Sequence, residues 1–160
     1  MKILGLDLAT RTGWSIFDDG RLVEWGMQDF SVGRGESPGM RYLKFRVWLD
    51  NVVKLSEVDL VVYEQAHMRG GAATEVLVGL CTRVQEIAAG WKIDHATVHT
   101  ATLKKHATGN GRAEKADMIA AAQKKWPALG AGHLDDNIAD AIWVGDWASL
   151  HFAALVQRVD

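Results

Sequence analysis

Four acidic side chains stand where they could together hold divalent metal ions. Asp7 follows the apolar run "MKILGL" and Glu64 follows "VDLVVY", so each carboxylate comes at the end of a stretch typical of a buried strand. Asp136 and Asp140, in "LDDNIADAIW", fall about 40° apart on a helix. Carboxylates so close together repel each other unless a cation lies between them. Oxygen ligands without a thiol favour a hard ion, Mg²⁺ or Mn²⁺.

Two further polar residues of the same segment differ in position. Asp135 points about 100° away from Asp136 and suits the N-terminus of the helix, where the helix dipole favours negative charge. Asn137 lies about 60° from Asp140 and could share its face. As an alternative, the acids of this segment could simply be an acid-rich helix N-terminus. This alternative does not explain the two acids at the strand ends.

A basic segment accompanies the acids. Residues 92–126 carry seven lysine or arginine side chains and three acidic ones, although the whole chain has a formal net charge of −2. In "GNGRAEK", glycines let the backbone approach a phosphate, and Arg112 and Lys115 supply charge. The basic segment and the carboxylates together have the groups that two-metal phosphodiester hydrolysis requires. In this reaction one ion activates water and the other stabilises the leaving oxygen. Scattered, solvated lysines are the alternative interpretation.

Hydrophobic periodicity predicts an α/β domain. Three strands, a helix, a strand, a helix, a strand and then helices follow one another, which is typical of a mixed sheet covered by helices. The second and third strands form a predicted hairpin through "DDG". In the first helix, "MRYLKFRVWLDNVVKL", we expect the apolar stripe to consist of Met40, Leu43, Val47, Val52 and Leu55.

The second half of the chain predicts mainly helices. A helix over residues 72–89 is capped by Gly90, and "KIDHATVHT" has the pattern of a strand. "ATLKK" predicts only a short helical turn, and "AEKADMIAAAQKKWP" predicts a helix that stops at Pro127. The last helix is expected to run from Leu134 to about Gln157.

The composition indicates one globular domain. The chain has 160 residues, of which 48% are hydrophobic and 24% charged. Its one cysteine, Cys81, excludes a disulfide framework and a cysteine-based zinc site and fits a reducing cytosol. No membrane span or signal peptide is predicted. Five tryptophans lie in apolar patterns and are expected in the core: Trp48, Trp91, Trp126, Trp143 and Trp147.

Four motifs in order resemble the RuvC-type Holliday-junction resolvases of the RNase H-like superfamily, especially the compact forms from bacteriophages. They are "ILGLDLATRTGWSI", "LVVYEQAHM", "TATLKKHATGNGRAEKADM" and "DDNIADAIWVG", within about residues 1–148. The resemblance implies a five-stranded mixed sheet flanked by helices and one nuclease domain over residues 1–160. It also implies Mg²⁺-dependent nicking of four-way DNA junctions by a homodimer, in a bacterial or phage-infected cytoplasm.

The resemblance makes Asp7, Glu64 and Asp140 metal ligands and places a fourth ligand just upstream of Asp140. Bacterial members typically carry an aspartate three residues before that last acid, where this chain has Asn137. The helical face favours Asp136 as the fourth ligand, although Asn137 could coordinate through its side-chain carbonyl.

The resemblance also predicts DNA contacts. It matches Lys104, Lys105 and Lys115 to a lysine-bearing loop and helix that lie against the junction backbone. His67 follows the "EQ" pair, where the family often has an aromatic residue that stacks at the junction; it could stack or be only a loop residue. The helix over residues 72–89 would form much of the dimer interface, although a core would also explain its apolar face.

Two other functions compete with junction resolution. A less selective nuclease of the same fold would act on branched DNA or RNA–DNA hybrids. The observation that distinguishes the two functions is a two-fold dimer, because paired symmetric nicks need two active sites. A non-catalytic DNA-binding module would lack at least one essential acid, whereas this chain has a full set.

Just before the acidic helix, His133 could orient water or be purely structural.

Overall fold

The computed structural model describes residues 1–65, 67 and 70–156. In this part of the chain the secondary structure consists of β1 (Lys2–Asp7), β2 (Arg11–Asp18), β3 (Arg21–Asp29), α1 (Gly39–Ser56), β4 (Leu60–Glu64), α2 (Ala72–Trp91), β5 (Asp94–Val98), α3 (Thr100–Thr108), α4 (Lys115–Lys125) and α5 (Asp136–Val156). A short 3₁₀ turn, Pro127–Leu129, precedes α5.

The strands form one mixed sheet in the order β3-β2-β1-β4-β5. β2 is antiparallel to both β1 and β3, whereas β4 is parallel to both β1 and β5. Asp19 and Gly20 make the β2–β3 turn with φ of 45° and 78°, and positive φ at both positions matches the twist of the flanking strands. The predicted five-stranded mixed sheet flanked by helices is confirmed.

Helices cover both faces of the sheet. One apolar core joins the sheet to α1 and α2, and a second joins the other face to α3, α4 and α5. In β1, Ile3 belongs to the α5 side and Leu4 and Leu6 belong to the α1 side. Because successive strand side chains alternate between faces, Asp7 projects on the α5 side.

Glycines let α5 lie close against β1 and β2. A Cβ atom at Gly13 would lie 1.9 Å from the Asn137 carbonyl oxygen, and one at Gly5 would lie 2.6 Å from that of Ala141. Ser15 Oγ, buried at the same contact, donates a hydrogen bond of 2.7 Å to the Ala141 carbonyl. This contact fixes the start of α5 beside the end of β1.

The predicted apolar stripe of α1 is partly wrong. Leu43, Val47 and Leu55 are 50%, 54% and 80% exposed, and Phe45 and Leu49 are completely buried instead. The helix carries two apolar stripes, and the one with the larger, aromatic side chains faces the sheet. Phe45 contacts Phe30 edge-on, with ring centroids 5.2 Å apart.

Some predicted helix boundaries need correction. α2 runs through Gly90 to Trp91 and ends at Lys92, whose φ of 56° provides the left-handed cap. The predicted turn after β5 is a complete helix, α3, of nine residues. α5 starts at Asp136, two residues later than predicted, and its predicted end near Gln157 lies outside the described residues.

Trp91 is not a core residue. Its side chain is 41% exposed, and its Nε1 donates a hydrogen bond of 2.8 Å to Asp50 on α1. Trp143 is buried, and the other tryptophans expected in the core pack partly buried against one core or the other: Trp48, Trp126 and Trp147.

The apolar face of α2 packs into the core. Leu80, Val84 and Ile87 are buried there, and Val76 and Leu77 are partly buried against the same core. Packing within one chain therefore accounts for most of this stripe. Among the described helices, none is both long and apolar enough to span a lipid bilayer.

Candidate active site

Asp7 and Glu64 lie side by side at the carboxyl ends of two parallel strands. In the register of β1 with β4, Leu6 pairs with Tyr63, and each acid is the next residue on its strand. Glu64 is in step with Val62, which belongs to the core on the α5 side. Both carboxylates therefore project on the face that α5 covers.

α5 supplies the opposing acids, as the sequence predicts. Asp136 and Asp140 are one helical turn apart in its first two turns. Asp140 and Glu64 line a common cleft of about 200 Å³ between the sheet, α3 and α4, whose walls are completed by Thr100, Leu103, Lys104, Lys115 and Met118.

The acids perturb one another strongly. Burial, with the negative charges of Asp140 and Glu64 nearby, raises the pKa of Asp7 well above its ordinary value. Burial and the charges of Glu64 and Asp136 raise the pKa of Asp140 to about 7. The charges of Glu64 and Asp136 thus act on both Asp7 and Asp140, which is consistent with the four predicted carboxylates lying near one another.

Lys115 neutralises one side of the cluster. Its Nζ donates a hydrogen bond of 2.6 Å to Asp136 Oδ2. This bond and the charge of Lys115 lower the pKa of Asp136, and the same bond raises the pKa of Lys115. Asp136 is thus paired with a cation that belongs to the chain itself.

The neighbours of Asp136 in sequence have other positions. Asp135 caps α5, because its Oδ1 accepts a hydrogen bond of 2.9 Å from the Asn137 backbone N–H, and it also lies 3.3 Å from Arg11 Nη2. The predicted helix-start role of Asp135 is confirmed. Asn137 is partly buried, and its backbone carbonyl oxygen lies against Gly13.

The predicted basic residues fall into two groups. Lys104 and Lys115 line the cleft beside the carboxylates. Lys105 and Arg112 are exposed and do not line it, and the Arg112 backbone N–H bonds to Asn110. The structure brings the first pair to the acids and leaves the second pair on the outer surface of the α3–α4 region.

Two residues of the predicted site region have exposed side chains. His133 is exposed in the loop before α5. His67 is exposed after β4, and its Nε2 lies 2.7 Å from Thr100 Oγ1. The sequence did not single out Thr100, whose hydroxyl donates a hydrogen bond to Glu64 Oε1. A threonine at the start of a helix is typical of ordinary helix termini, so no sequence signal distinguished it.

The donor set suits a hard cation without forming a closed cage. Within the described ranges, no three acidic, histidine or cysteine side chains are arranged as a ready metal-binding group. Carboxylate oxygens are the only strong metal ligands of the four predicted residues. Two of these residues, Asp7 and Asp140, have raised pKa values because burial and then the neighbouring negative charges disfavour their ionisation. A divalent cation would relieve this repulsion.

Comparisons with known proteins identify the fold. No family model matches the chain, and no curated protein matches it. Among solved structures, Thermus thermophilus RuvC has a TM-score of 0.76 at 17% identity, covering 98% of this chain and 97% of that one. The T. thermophilus RuvC complex with a Holliday junction substrate has a TM-score of 0.78 at 16% identity, covering 96% and 94%.

A viral protein has the same architecture. The fowlpox virus resolvase, solved in complex with substrate Holliday junction DNA, has a TM-score of 0.60 at 12% identity, covering 95% of this chain and 99% of that one. The chains thus correspond over nearly their whole lengths. The protein has the RuvC-like, RNase H-like fold.

Proposed function

We propose that the protein is a DNA endonuclease that resolves four-way junctions by paired, Mg²⁺-dependent phosphodiester hydrolysis. The observation that carries this proposal is that Glu64 and Asp140 line a cleft together with Lys104 and Lys115, with Asp7 close enough to feel both negative charges, on a RuvC-like fold. Crowded carboxylates and flanking cations are together suited to a polyanionic substrate and a divalent ion.

Asp7, Glu64, Asp136 and Asp140 would hold the metal ions. When bound there, Mg²⁺ supplies a water of lowered pKa and neutralises charge on the phosphate, and Mn²⁺ can substitute for it. Asp136 is the proposed fourth ligand because its charge acts on both Asp7 and Asp140. In this role the Asp136 carboxylate would bind a metal ion and give up part of its interaction with Lys115.

The lysines at the cleft would hold the scissile strand. Lys104 and Lys115 stand beside the carboxylates, where a phosphate would meet both the metal ions and a protein cation. Lys105 and Arg112, on the exposed surface next to this cleft, would extend the contact along the backbone. This arrangement positions phosphates and carries no base recognition.

Two solved neighbours were captured with Holliday junction DNA, which supports a junction as the substrate here. Cutting two strands symmetrically requires two active sites, so we infer a homodimer. The single cysteine fits a reducing compartment, and we place the activity in a bacterial or phage-infected bacterial cytoplasm.

A cleavage assay on matched substrates tests this function. Purified protein with Mg²⁺ should cut a synthetic four-way junction in preference to a linear duplex of the same sequence, and EDTA should abolish cutting. Asp7→Asn should reduce the rate about a hundredfold or more, because it removes a metal ligand. Glu24→Gln, on the exposed surface of β3, is the control and should cut like the wild type.

The alternatives give different results in the same assay. Equal cutting of the linear duplex, or preferred cutting of an RNA–DNA hybrid, would replace junction resolution with a less selective nuclease. Binding without cutting, unaltered in Asp7→Asn, would replace it with a DNA-binding module.

A further inference from the structure

A hydrogen-bonded chain leads from Glu64 away from the cleft. The Thr100 hydroxyl bonds to Glu64 Oε1, and His67 Nε2 lies 2.7 Å from the same hydroxyl oxygen. Beyond it, the His67 ring meets the His99 ring edge-on, with centroids 5.4 Å apart. The end of β4, the residue His67 that follows it and the start of α3 therefore meet at one carboxylate.

Counting protons fixes the direction of this chain. A threonine hydroxyl has one hydrogen, and Thr100 uses it toward Glu64, which as a carboxylate can only accept. His67 must therefore donate its Nε2–H to Thr100 Oγ1. Each donor is polarised toward the negative charge, an arrangement that strengthens both bonds.

The fold places these groups without long connections. Thr100 is the first residue of α3, directly after β5, and β5 pairs with β4, which ends at Glu64. Gln65 continues the pairing, since its N–H bonds to the Val98 carbonyl. His67 follows two residues later and reaches across to the start of α3. One turn further along α3, Lys104 lines the cleft.

We propose that Thr100 and His67 are positioning residues that orient the Glu64 carboxylate for metal binding. Thr100 bonds to Oε1 of Glu64, which itself lines the cleft, and His67 bonds to the Thr100 hydroxyl. This inference rests on the metal site of the proposed function, and it gives His67 a role that needs no stacking on DNA. Hydrogen bonds to ligating carboxylates fix their orientation and raise metal affinity.

Metal binding without DNA tests the role of Thr100. Mn²⁺ affinity, read from the loss of the free-ion electron paramagnetic resonance signal, should fall about tenfold in Thr100→Val, which keeps the shape and loses the hydroxyl. Thr100→Ser should restore it. Thr102→Val, at an exposed position of the same helix, should leave affinity unchanged. Equal affinities for Thr100→Val and the wild type would overturn the proposal, as would a failure of Thr100→Ser to rescue.

Two substitutions separate the hydrogen-bonding role of His67 from a stacking role. His67→Phe keeps an aromatic ring and should weaken Mn²⁺ binding roughly two- to tenfold, whereas His67→Gln keeps a donor and should bind more tightly than His67→Phe. The double variant Thr100→Val/His67→Phe should bind no more weakly than Thr100→Val alone, because His67 acts through the hydroxyl. Additive losses of Mn²⁺ affinity in the double variant would overturn the proposed hydrogen-bonded chain from His67 through Thr100 to Glu64.

The readout distinguishes this inference from the proposed function. A wild-type protein that binds Mn²⁺ and shows these shifts but leaves four-way junctions uncut would refute junction resolution and support the positioning role. A wild-type protein that cuts junctions while Thr100→Val binds Mn²⁺ normally would do the reverse. Absence of Mn²⁺ binding by the wild type would overturn both. Thermal unfolding of each variant checks that the fold is intact.

Discussion

The carboxylates of Asp7 and Asp140 are held where negative charge is unfavourable. Burial raises the pKa of both, and the charge of Glu64 raises each further. Such shifts are concentrated at functional sites because the fold maintains them against its own stability. The cost and its relief by a cation can be measured residue by residue.

The titration of Asp140 predicts how stability depends on pH in EDTA. Its pKa is about 7 in the fold against an ordinary 3.8, so the folded state binds the proton more tightly. The resulting stability is complete below pH about 4 and is lost as pH rises through about 7. We expect Asp140→Asn, which cannot ionise, to be more stable than the wild type by about 1–3 kcal/mol at pH 8 and by much less at pH 5.

Urea unfolding of the two proteins at both pH values measures this difference. Adding Mg²⁺ at pH 8 should stabilise the wild type and have less effect on Asp140→Asn. A difference that does not change between pH 5 and pH 8 would mean that Asp140 does not titrate in this range.

The fourth metal ligand can be identified by three adjacent substitutions. We expect Asp136→Asn to lower the junction-cleavage rate about ten- to hundredfold, because its charge reaches both Asp7 and Asp140. Asn137→Ala should cut within a few-fold of the wild type. Asp135→Ala should lose about 1 kcal/mol of stability with its cap, and little activity. A larger loss in Asn137→Ala than in Asp136→Asn would exchange the roles of the two residues.

At the scale of elements, α5 is positioned by its contact with glycines. Gly13→Ala would place a methyl group 1.9 Å from the Asn137 carbonyl oxygen and push the start of α5 away from β2. We expect a loss of about 3 kcal/mol or more, and slower cleavage even at saturating Mg²⁺. Gly90→Ala is the control: its Cβ meets no atom within 4 Å, and it should gain up to about 1 kcal/mol in α2. Unchanged stability of Gly13→Ala would refute the close packing.

A buried acid joins the three helices on the cleft side. Asp146 Oδ2, on α5, accepts hydrogen bonds of 2.8 Å from His106 on α3 and 2.7 Å from Lys125 on α4. Burial opposes its ionisation, but these two bonds outweigh burial and lower its pKa. Because α3 and α4 carry Lys104 and Lys115, this acid helps to hold the basic rim of the cleft in place.

The lowered pKa of Asp146 predicts acid sensitivity. The stability that it contributes is present above its ordinary pKa near 4 and is lost as pH falls through its lower folded value. Asp146→Asn should therefore cost about 2–4 kcal/mol at pH 7, and this cost should shrink on acidification. Denaturant unfolding from pH 7 to pH 3 measures it. A cost that is constant with pH would show that the ionised form is not what stabilises the helices.

The elements also show what the sequence could predict. The ends of β1 and β4 were predictable. A continuous apolar run that stops at an acid is typical of a buried central strand that ends there. The buried face of α1 was not, because Leu43 and Phe45 belong to two stripes that periodicity alone cannot rank. Thr100 was not predictable either, since its role depends on the pairing of β4 with β5.

At the scale of the whole molecule, one sheet order explains why distant residues meet. Asp7 and Glu64 are far apart in the chain, yet β1 and β4 are parallel neighbours, and α5 returns across both strands from the far end of the sequence. Ligand sites in such sheets gather at the carboxyl ends of parallel strands. The paired cuts proposed here require a second copy of this whole arrangement, related by two-fold symmetry.

Mapping both cuts in one four-way junction tests the central claim most directly. Each of the four strands is end-labelled in turn, and the products formed with Mg²⁺ are sized. Junction resolution predicts two nicks at symmetry-related positions in opposed strands, yielding two linear duplexes, with none in Asp7→Asn. Single unpaired nicks, or the same pattern in a linear duplex, would contradict junction resolution.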